Sequence, residues 1–357
     1  MDRSHGLDLL ALGRWCAGLP DPIVGPLKAL PISGGHSNLT YRLEAAEGRA
    51  LALRMPPSGN LPRGAHNVLR EARITSGLAD THVPVPRIVG TCSDPDVLGV
   101  PFYVMDWVDG DVVATPADVH RCLREDSSRQ VAARELVDVL AELHTFDVVA
   151  AGLDDLVRPA DYIDRQLRRM WEVWESTRTR ELPQIRDLHD RLLRGRPAQR
   201  YSGLVHGDYR LGNVICSGAG HVLAVLDWEL AAIGDVMCDL AFLLNNWESA
   251  DEPNAGAWMQ EPPTRAGGFP VRAALIERYA SRTGFDVSGL DYYRAFVHWR
   301  MAVIAEGIKR RYETGAMSAA SATNGKITAG TVDFEHLERR VRVLAGLADE
   351  HLTLAGG

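Results

Sequence analysis

The order of strand-like and helix-like patterns along the chain constrains its fold more than any other feature of the sequence. Short apolar runs bounded by glycine and proline, which are typical of strands, occupy 30–32, 40–44 and 50–55. Beyond residue 110 the apolar residues instead recur at helical spacing, first over 128–145. Because the strands precede the helices and do not alternate with them, the sequence predicts an α+β fold with segregated lobes.

Further elements extend this pattern. The first third also carries helical patterns over 7–19 and 65–79, and two more strands are predicted over 97–100 and 101–108. The other predicted elements are helices over 160–178, 184–195, 236–247, 271–283, 291–313 and 333–353, a hairpin over 214–226, a loop over 250–268 and a mobile linker over 314–330.

Length and composition are those of an ordinary globular protein and argue against several classes. The 357 residues suit two lobes better than one simple core. A net charge of −8 argues against broad nucleic-acid binding, which needs a basic face. Five scattered cysteines without a CxxC pair indicate reduced thiols. With no signal peptide and no long apolar run, we expect a cytoplasmic protein without nucleic-acid or membrane partners.

One pair of segments carries the residues for phosphoryl transfer. The segments are 206–213, HGDYRLGN, and 227–229, DWE. They place Asp208 five residues before Asn213, and Asp227 follows Asn213 by fourteen residues. Transfer from a nucleotide needs one carboxylate that orients the attacking hydroxyl and accepts its proton, and an amide oxygen and a second carboxylate that hold magnesium. The sequence therefore predicts a kinase-type active site.

The order of these motifs resembles the aminoglycoside phosphotransferase and choline kinase superfamily, over roughly residues 28–310. More narrowly, the chain resembles the phosphotransferase modules that occur alone in bacteria or fused to acyl-CoA dehydrogenases. The narrower resemblance rests on SGGHSNLTY at 33–41, LALRMPP at 51–57, PFYVM at 101–105 and YRAF at 293–296. It implies a protein-kinase-like two-lobed fold, with a small β-rich N-terminal lobe over 1–106 and a larger, mainly helical C-terminal lobe over 107–357.

The resemblance assigns roles to the catalytic segment. It implies that Asp208 is the catalytic base and that Asn213 and Asp227 bind Mg²⁺, whose hard-oxygen preference suits both side chains. His206 is a catalytic-loop candidate that we expect to bond the loop backbone and not to act as the base. Arg210 is expected either to steady developing charge, to pair with an acid or to lie on the surface.

The nucleotide-binding residues are expected in the N-terminal lobe. Arg54 replaces the lysine that protein kinases carry on this strand, and its partner is expected to be Glu71, since a guanidinium can form a bidentate carboxylate pair. Residues 33–38 replace the phosphate-covering loop, where Ser33, Gly34, Ser37 and Asn38 offer close backbone approach and donors for phosphate. A plain hairpin turn explains this segment equally well.

Other residues are expected to support the site. Met105, Asp106 and Trp107 match the hinge between lobes, where backbone groups read the purine of ATP or GTP. Gly234, Asp235 and Asp239 are expected to fix the metal-binding loop. Two histidines and three tryptophans are expected to have structural roles and not to bind the acceptor. They are His144, His298, Trp171, Trp174 and Trp247.

The acceptor is expected to be a small-molecule hydroxyl, because Asp235 follows Asp227 by only eight positions, which leaves no room for a peptide-docking activation segment. The pocket walls are expected in 150–200 and 245–270. An aminoglycoside would require carboxylates, which Glu248, Asp251, Glu252 and Glu261 could supply, although a solvated acidic loop explains them as well. Alternative acceptors are a macrolide and a hydroxylated acyl compound. Alternative functions of the protein are a nucleotide-binding pseudokinase and a non-catalytic binding domain. We expect a monomer or a homodimer.

Overall fold

The computed structural model of the chain describes residues 3–4, 7–32, 38–57, 67–158, 161–252, 257, 261–315 and 333–356. The chain divides into two compact units. Unit 1 comprises Met1–Asp109 together with Leu223–Ala231, and unit 2 comprises Gly110–Val222 together with Ala232–Gly357. The predicted lobe boundary after residue 106 stays a prediction.

Unit 1 is built on an antiparallel sheet. Its elements are β1 (Arg3–Ser4), β2 (Leu7–Asp8), α1 (Leu9–Ala17), β3 (Lys28–Ile32), β4 (Leu39–Glu44), β5 (Ala50–Met55), α2 (Val68–Leu78), β6 (Ile88–Cys92), α3 (Pro95–Leu98) and β7 (Phe102–Asp106). Five strands form the sheet in the order β3-β4-β5-β7-β6, and every pair is antiparallel. Leu43, Leu51 and Leu53 are fully buried, because alternate residues of β4 and β5 face the apolar core.

One predicted strand of unit 1 is wrong, and three observed strands, β1, β2 and β6, were not predicted. Residues 97–100 do not form a strand, since Asp94 caps the amide of Asp96 at 2.9 Å and Pro95 occupies the first helical position of α3. The missed strand β6 contains Gly90, where a Cβ would lie 2.6 Å from Leu19 and 3.0 Å from Trp15. Glycine, a poor strand former, is therefore kept there by packing against the α1 region.

Unit 2 is mainly helical. Its elements are β8 (Asp111–Val112), α4 (Pro116–Cys122), α5 (Asp126–Thr145), α6 (Tyr162–Thr177), α7 (Pro183–Arg194), β9 (Ser202–Val205), β10 (Val214–Cys216), β11 (Val222–Val225, which continues into unit 1), β12 (Ala232–Asp235), α8 (Met237–Asn245), α9 (Arg272–Thr283), α10 (Leu290–Glu313) and α11 (Phe334–Ala355). Strand β12 pairs antiparallel with β9, and β10 pairs antiparallel with β8. The helices predicted from periodicity are all present, and α4, with its capping box at Thr115 and Asp118, was missed.

Helix α10 is the centre of unit 2. It packs against α6, α7, α8 and α11. Apolar residues such as Phe296 and Trp299, which lie on one face of it, are fully buried. The predicted linker over 314–330 lies outside the described residues beyond Gly315. Among the helices of the described ranges, none is both long and apolar enough to cross a bilayer. All five cysteines are free thiols.

Candidate active site

The loop that carries Asp208 follows β9 directly and leads through a one-turn 3-10 helix, Leu211–Asn213, into β10. Tyr209 anchors this loop in the core of unit 2. Its ring is fully buried and its hydroxyl donates to the carbonyl of Leu136 in α5 at 2.8 Å. The sequence thus folds locally so that one aromatic side chain points into the core and the next residue back, Asp208, stays partly exposed.

Asp208 is contacted by Asn213 and Arg210 of the same loop. The amide nitrogen of Asn213 donates to the backbone carbonyl of Asp208 and to its Oδ2, both at 2.7 Å. Arg210 Nε lies 3.4 Å from Asp208 Oδ1. Because the nitrogen of the Asn213 amide is turned to Asp208, the amide oxygen is left for another ligand. Arg210 therefore pairs with the acid, which is one of its predicted places.

Asp239 fixes the backbone on the N-terminal side of Asp208. It is 1% exposed and accepts the backbone N–H groups of His206 at 2.5 Å and Gly207 at 2.8 Å. Burial acts to raise the pKa of this carboxyl, but hydrogen bonding and charge from His144 and His206 and the Gly207 amide outweigh burial, so the pKa is lowered. Asp239 therefore stays a charged acceptor for the loop.

The two histidines near this loop hold structure. His206 Nδ1 accepts the backbone N–H of Asp208 at 3.2 Å and its side chain is fully buried, so its geometry agrees with the scaffold role we predicted. His144 hydrogen bonds Tyr279 at 2.7 Å and Asp239 at 3.5 Å, and burial lowers its pKa. These two hydrogen bonds hold the His144 ring between Tyr279 and Asp239.

Unit 1 contains the predicted Arg54–Glu71 pair. Arg54 on β5 donates from Nε to Glu71 Oε2 at 2.9 Å and from Nη2 to Glu71 Oε1 at 3.1 Å, and it also bonds Asp227 Oδ1. Tyr103, opposite Arg54 in the β5–β7 ladder, donates to Glu71 Oε2 at 3.2 Å. Burial acts to lower the pKa of Arg54, but the negative charges, led by Glu71, outweigh it and hold the pKa above its usual value.

Asp227 has a left-handed backbone conformation, which is unusual for a residue other than glycine. Its φ of 68° and ψ of 58° lie in the left-handed region, and within the described ranges it is the one non-glycine residue with a positive φ. Such a conformation costs on the order of 1–3 kcal/mol and is typical of functional positions. A one-turn helix, Trp228–Leu230, follows, and β12 begins at Ala232.

The predicted metal ligands have suitable chemistry. Asn213 offers an amide oxygen and Asp227 a carboxylate, both hard ligands of the kind that Mg²⁺ prefers. Asp227 also lies in a group of carboxylates in unit 1, in which ligand atoms of Glu71, Asp227 and Glu229 fall within 4.8 Å of one another. Glu229 was missed as a candidate, although it stands two residues after Asp227 in the DWE motif.

The predicted phosphate loop is only partly described. Ser33, Gly34 and Ser37 lie outside the described residues. Asn38 is 3% exposed, and its amide nitrogen donates to Glu71 Oε1 at 3.3 Å. Its side chain thus supports Glu71 in this structure, and the prediction that it binds phosphate stays untested.

The predicted hinge residues lie at the end of β7. The N–H of Asp106 donates to the carbonyl of Arg87 at 2.9 Å, and the N–H of Trp107 donates to that of Ala50 at 3.3 Å. Met105 is paired within the sheet. Two hinge N–H groups are therefore engaged inside unit 1, so purine recognition here would depend on the remaining backbone groups and stays a prediction.

The acidic residues considered as an aminoglycoside site are largely paired with arginines. Glu252 forms a bidentate pair with Arg272, at 2.6 and 2.8 Å. Arg265 lies 3.4 Å from Glu248 and 3.0 Å from Glu261. Their negative charge is thus partly offset by two arginines of unit 2.

The large side chains considered for the acceptor pocket are mostly in the core. Trp174 is 2% and Trp247 is 3% exposed, as core packing requires. Trp171 stacks on His189 at 4.6 Å between ring centroids. His298 is buried beside His351.

Comparison with known proteins extends this description. Residues 28–275 match the phosphotransferase enzyme family. Acyl-CoA dehydrogenase family member 10 of Mus musculus is 34% identical over 308 residues, which cover 85% of this chain and 28% of the relative, so the chain spans less than a third of that protein's length.

Solved structures extend the comparison to the fold. A crystal structure of a candidate aminoglycoside phosphotransferase from Ralstonia eutropha is 30% identical, covers 97% of this chain and 98% of its own, and has a TM-score of 0.77. A thermostable mutant of aminoglycoside phosphotransferase APH(4)-Ia with ADP and hygromycin B is 13% identical, covers 98% and 99%, and at a TM-score of 0.61 shows the fold alone. These matches confirm the resemblance that the sequence predicted. The architecture is a protein-kinase-like α+β fold, and the chain belongs to the phosphotransferase enzyme family.

Proposed function

We propose that this protein is a small-molecule kinase that transfers the γ-phosphate of ATP or GTP to a hydroxyl group. Asp208 is the base in this proposal. The observation that carries it is the arrangement around Asp208, whose carboxylate is hydrogen bonded by Asn213 and paired with Arg210 on a loop that Asp239 holds. A carboxylate fixed in this way can orient a hydroxyl and accept its proton as the phosphoryl group leaves the nucleotide.

Asn213 and Asp227 are the proposed Mg²⁺ ligands. When bound, the metal would neutralise charge on the phosphates and orient the γ-phosphate for attack. The Asn213 amide nitrogen is used by Asp208, which leaves its oxygen for the metal. The carboxylate of Asp227 is held by its hydrogen bond from Arg54.

Arg54 is the proposed ligand of the nucleotide's α- and β-phosphates. Glu71 holds two of its guanidinium nitrogens, and Tyr103 and Asn38 in turn hold Glu71. Because the guanidinium is planar and permanently charged, this pairing fixes the plane in which its other N–H groups point. Ser33, Gly34, Ser37 and Asn38 are proposed to cover the phosphates, and Met105, Asp106 and Trp107 to contact the base.

The acceptor is proposed to be a small molecule and not a protein. Only residues 228–231 separate Asp227 from β12, and three of them form the one-turn helix. A segment this short cannot supply the extended surface on which a protein kinase holds its peptide substrate. A pseudokinase is disfavoured because Asp208, Asn213 and Asp227 are all present.

Among small molecules, we favour a hydroxylated acyl compound over an aminoglycoside. The relative named acyl-CoA dehydrogenase family member 10 supports an acyl acceptor. The ion pairs of Arg265 and Arg272 count against a cationic antibiotic bound by Glu248, Glu252 or Glu261, because such a ligand would have to displace an arginine from each acid. An aminoglycoside is the alternative acceptor, because the chain is similar to the Ralstonia eutropha structure. A macrolide is a further antibiotic candidate.

The test is a product screen. Purified protein is incubated with Mg²⁺ and ATP or GTP, each labelled at the γ-phosphate, and with panels of hydroxyacyl compounds, aminoglycosides and macrolides. Labelled product from one panel identifies the acceptor class. If neither nucleotide binds in the presence of Mg²⁺, the kinase proposal is wrong. We further propose that the reaction takes place in the cytoplasm, which the five free thiols support, and that the enzyme is a monomer or a homodimer.

A further inference from the structure

Arg300, in the middle of α10, is a buried charge that the sequence motifs did not single out. Arg300 is 8% exposed. Its guanidinium carbon lies over the ring of Phe242, 5.8 Å from the ring centroid. Among the described residues, no carboxylate lies within ion-pair distance of it, and its Nε has no hydrogen-bond partner. Burying a guanidinium without a carboxylate is costly, so packing alone does not explain an arginine here.

Among the residues that the structure describes, the Arg300 side chain makes one hydrogen bond, and it goes to the catalytic loop. Its Nη2 donates to the backbone carbonyl of Gly207 at 2.9 Å. The same peptide group, which joins Gly207 to Asp208, donates its N–H to His206 Nδ1 at 3.2 Å. The plane of the peptide that leads into Asp208 is therefore held at both ends, at the oxygen by Arg300 and at the nitrogen by His206.

This peptide needs external support because of the glycine beside it. Gly207 has a φ of +89°, in the region that glycine adopts without steric cost. A glycine backbone resists rotation weakly, so the direction of the Asp208 side chain depends on contacts that fix the peptide plane. Asp239 fixes the preceding N–H groups, of His206 and Gly207, but makes no contact of this kind with the Gly207 carbonyl.

We propose that Arg300 is a positioning residue for phosphoryl transfer, which sets the orientation of Asp208 by holding the Gly207 carbonyl from helix α10. It touches neither nucleotide nor acceptor in this account. The proposal rests on the proposed role of Asp208 as the base. Removing the guanidinium is expected to lower the rate of transfer and to leave nucleotide affinity nearly unchanged, because a misplaced base weakens only the chemical step.

The first measurement is independent of catalysis. Hydrogen–deuterium exchange of the full-length protein compares wild type with Arg300→Met and Arg300→Lys, which keeps one donor. We expect faster exchange in 206–213 for Arg300→Met and a smaller increase for Arg300→Lys. The matched control is Arg129→Met, since Arg129 is also 8% exposed and also donates to a backbone carbonyl, that of Leu123 at 2.9 Å, outside the catalytic loop.

The second measurement is kinetic. Turnover of MgATP, followed by phosphate release with water as the acceptor and with any acceptor that the product screen finds, is expected to fall by about 10- to 100-fold in kcat for Arg300→Met, with KM for ATP within about threefold. Arg300→Lys should recover part of kcat, and Arg129→Met should keep the wild-type value.

These outcomes separate the two proposals. If Arg300→Met and Arg300→Lys leave exchange in 206–213 unchanged, or if Arg300→Met raises exchange equally throughout unit 2, Arg300 does not position the loop and the inference is wrong. An unchanged kcat would also overturn it. Should Arg300→Met fail to fold, Arg300→Lys decides by the same two readouts. If wild type and Asp208→Ala are equally inactive toward ATP, the proposed function fails, while exchange still decides whether Arg300 holds the loop.

Discussion

At the scale of single residues, Glu71 shows how a buried acid can be held in place by hydrogen bonds. It is 2% exposed and accepts hydrogen bonds from Arg54, Tyr103 and Asn38. A buried carboxylate without such donors would destabilise the folded state by several kcal/mol, on the order of the cost of an unpaired buried ion. The sequence predicted the Arg54 partner from the motif, but Tyr103 and Asn38 were not predicted as partners because their contacts depend on the fold.

Arg54→Ala tests the proposed nucleotide contact. Loss of charged hydrogen bonds worth about 1.5–3 kcal/mol each should weaken MgATP binding by roughly tenfold or more, measured by titration calorimetry. Arg278→Ala is the matched control, because Arg278 also makes a bidentate pair, with Asp138 at 2.7 and 2.5 Å, in unit 2. Wild-type affinity in a folded Arg54→Ala protein would show that Arg54 does not bind phosphate.

At the scale of elements, packing explains why strand β6 was not predicted although strand β5 was. Strand β5 was predicted because its own run of apolar residues is typical of a strand. Strand β6 was not predicted because it contains Gly90, and a larger residue there would clash with Leu19 and Trp15. Glycine lowers strand propensity in any local reading of the sequence. The identity of this residue is thus set by a neighbour that only the folded unit 1 brings near.

Gly90→Ala is expected to destabilise unit 1. Its Cβ would meet Leu19 at 2.6 Å and Trp15 at 3.0 Å, and overpacking of this kind costs about 1–3 kcal/mol. Gly13→Ala, in α1, is the control, since nothing lies within 4 Å of its Cβ and alanine favours helices. Chemical denaturation measures both variants, and equal stability of the two would contradict the packing account.

The contact between α10 and α11 is expected to make the protein sensitive to acid. His298 and His351 stack at 5.6 Å, and burial lowers the pKa of both. Nearby Arg294 lowers both further, and Asp291 opposes this at His351. The folded protein therefore binds fewer protons than the unfolded chain, whose histidines titrate near about 6.5. Stability is thus present above that pH and is lost as the pH falls below it.

His298→Phe should reduce this loss, because phenylalanine keeps an aromatic ring and removes one buried titrating group. The free energy of unfolding is measured from about pH 7.5 to about pH 5.5, on both sides of the ordinary histidine pKa. His120→Phe, at an exposed position of unit 2, is the control and should keep the wild-type slope. A His298→Phe protein with the full wild-type slope would show that this residue does not cause the acid sensitivity.

At the scale of the whole molecule, local patterns predicted the class of fold and the short-range part of the site. Asp208 and Asn213 are five residues apart, so their contact follows from one loop. Arg300 lies 93 residues beyond Gly207, and no local pattern could have joined them. Strand 97–100 was predicted wrongly because its apolar residues outweighed the capping signal of Asp94 and Pro95. What the sequence could not supply were the contacts that depend on packing between distant segments.

The central claim is that Asp208 is the base of a nucleotide-dependent phosphotransferase, and Asp208→Ala tests it most directly. Transfer of labelled γ-phosphate to the acceptor found in the screen is measured alongside MgATP affinity for wild type and variant. We expect transfer to be lost while the affinity for MgATP stays within about threefold, because the carboxylate acts only in the chemical step. Transfer at the wild-type rate by a folded Asp208→Ala protein would contradict it.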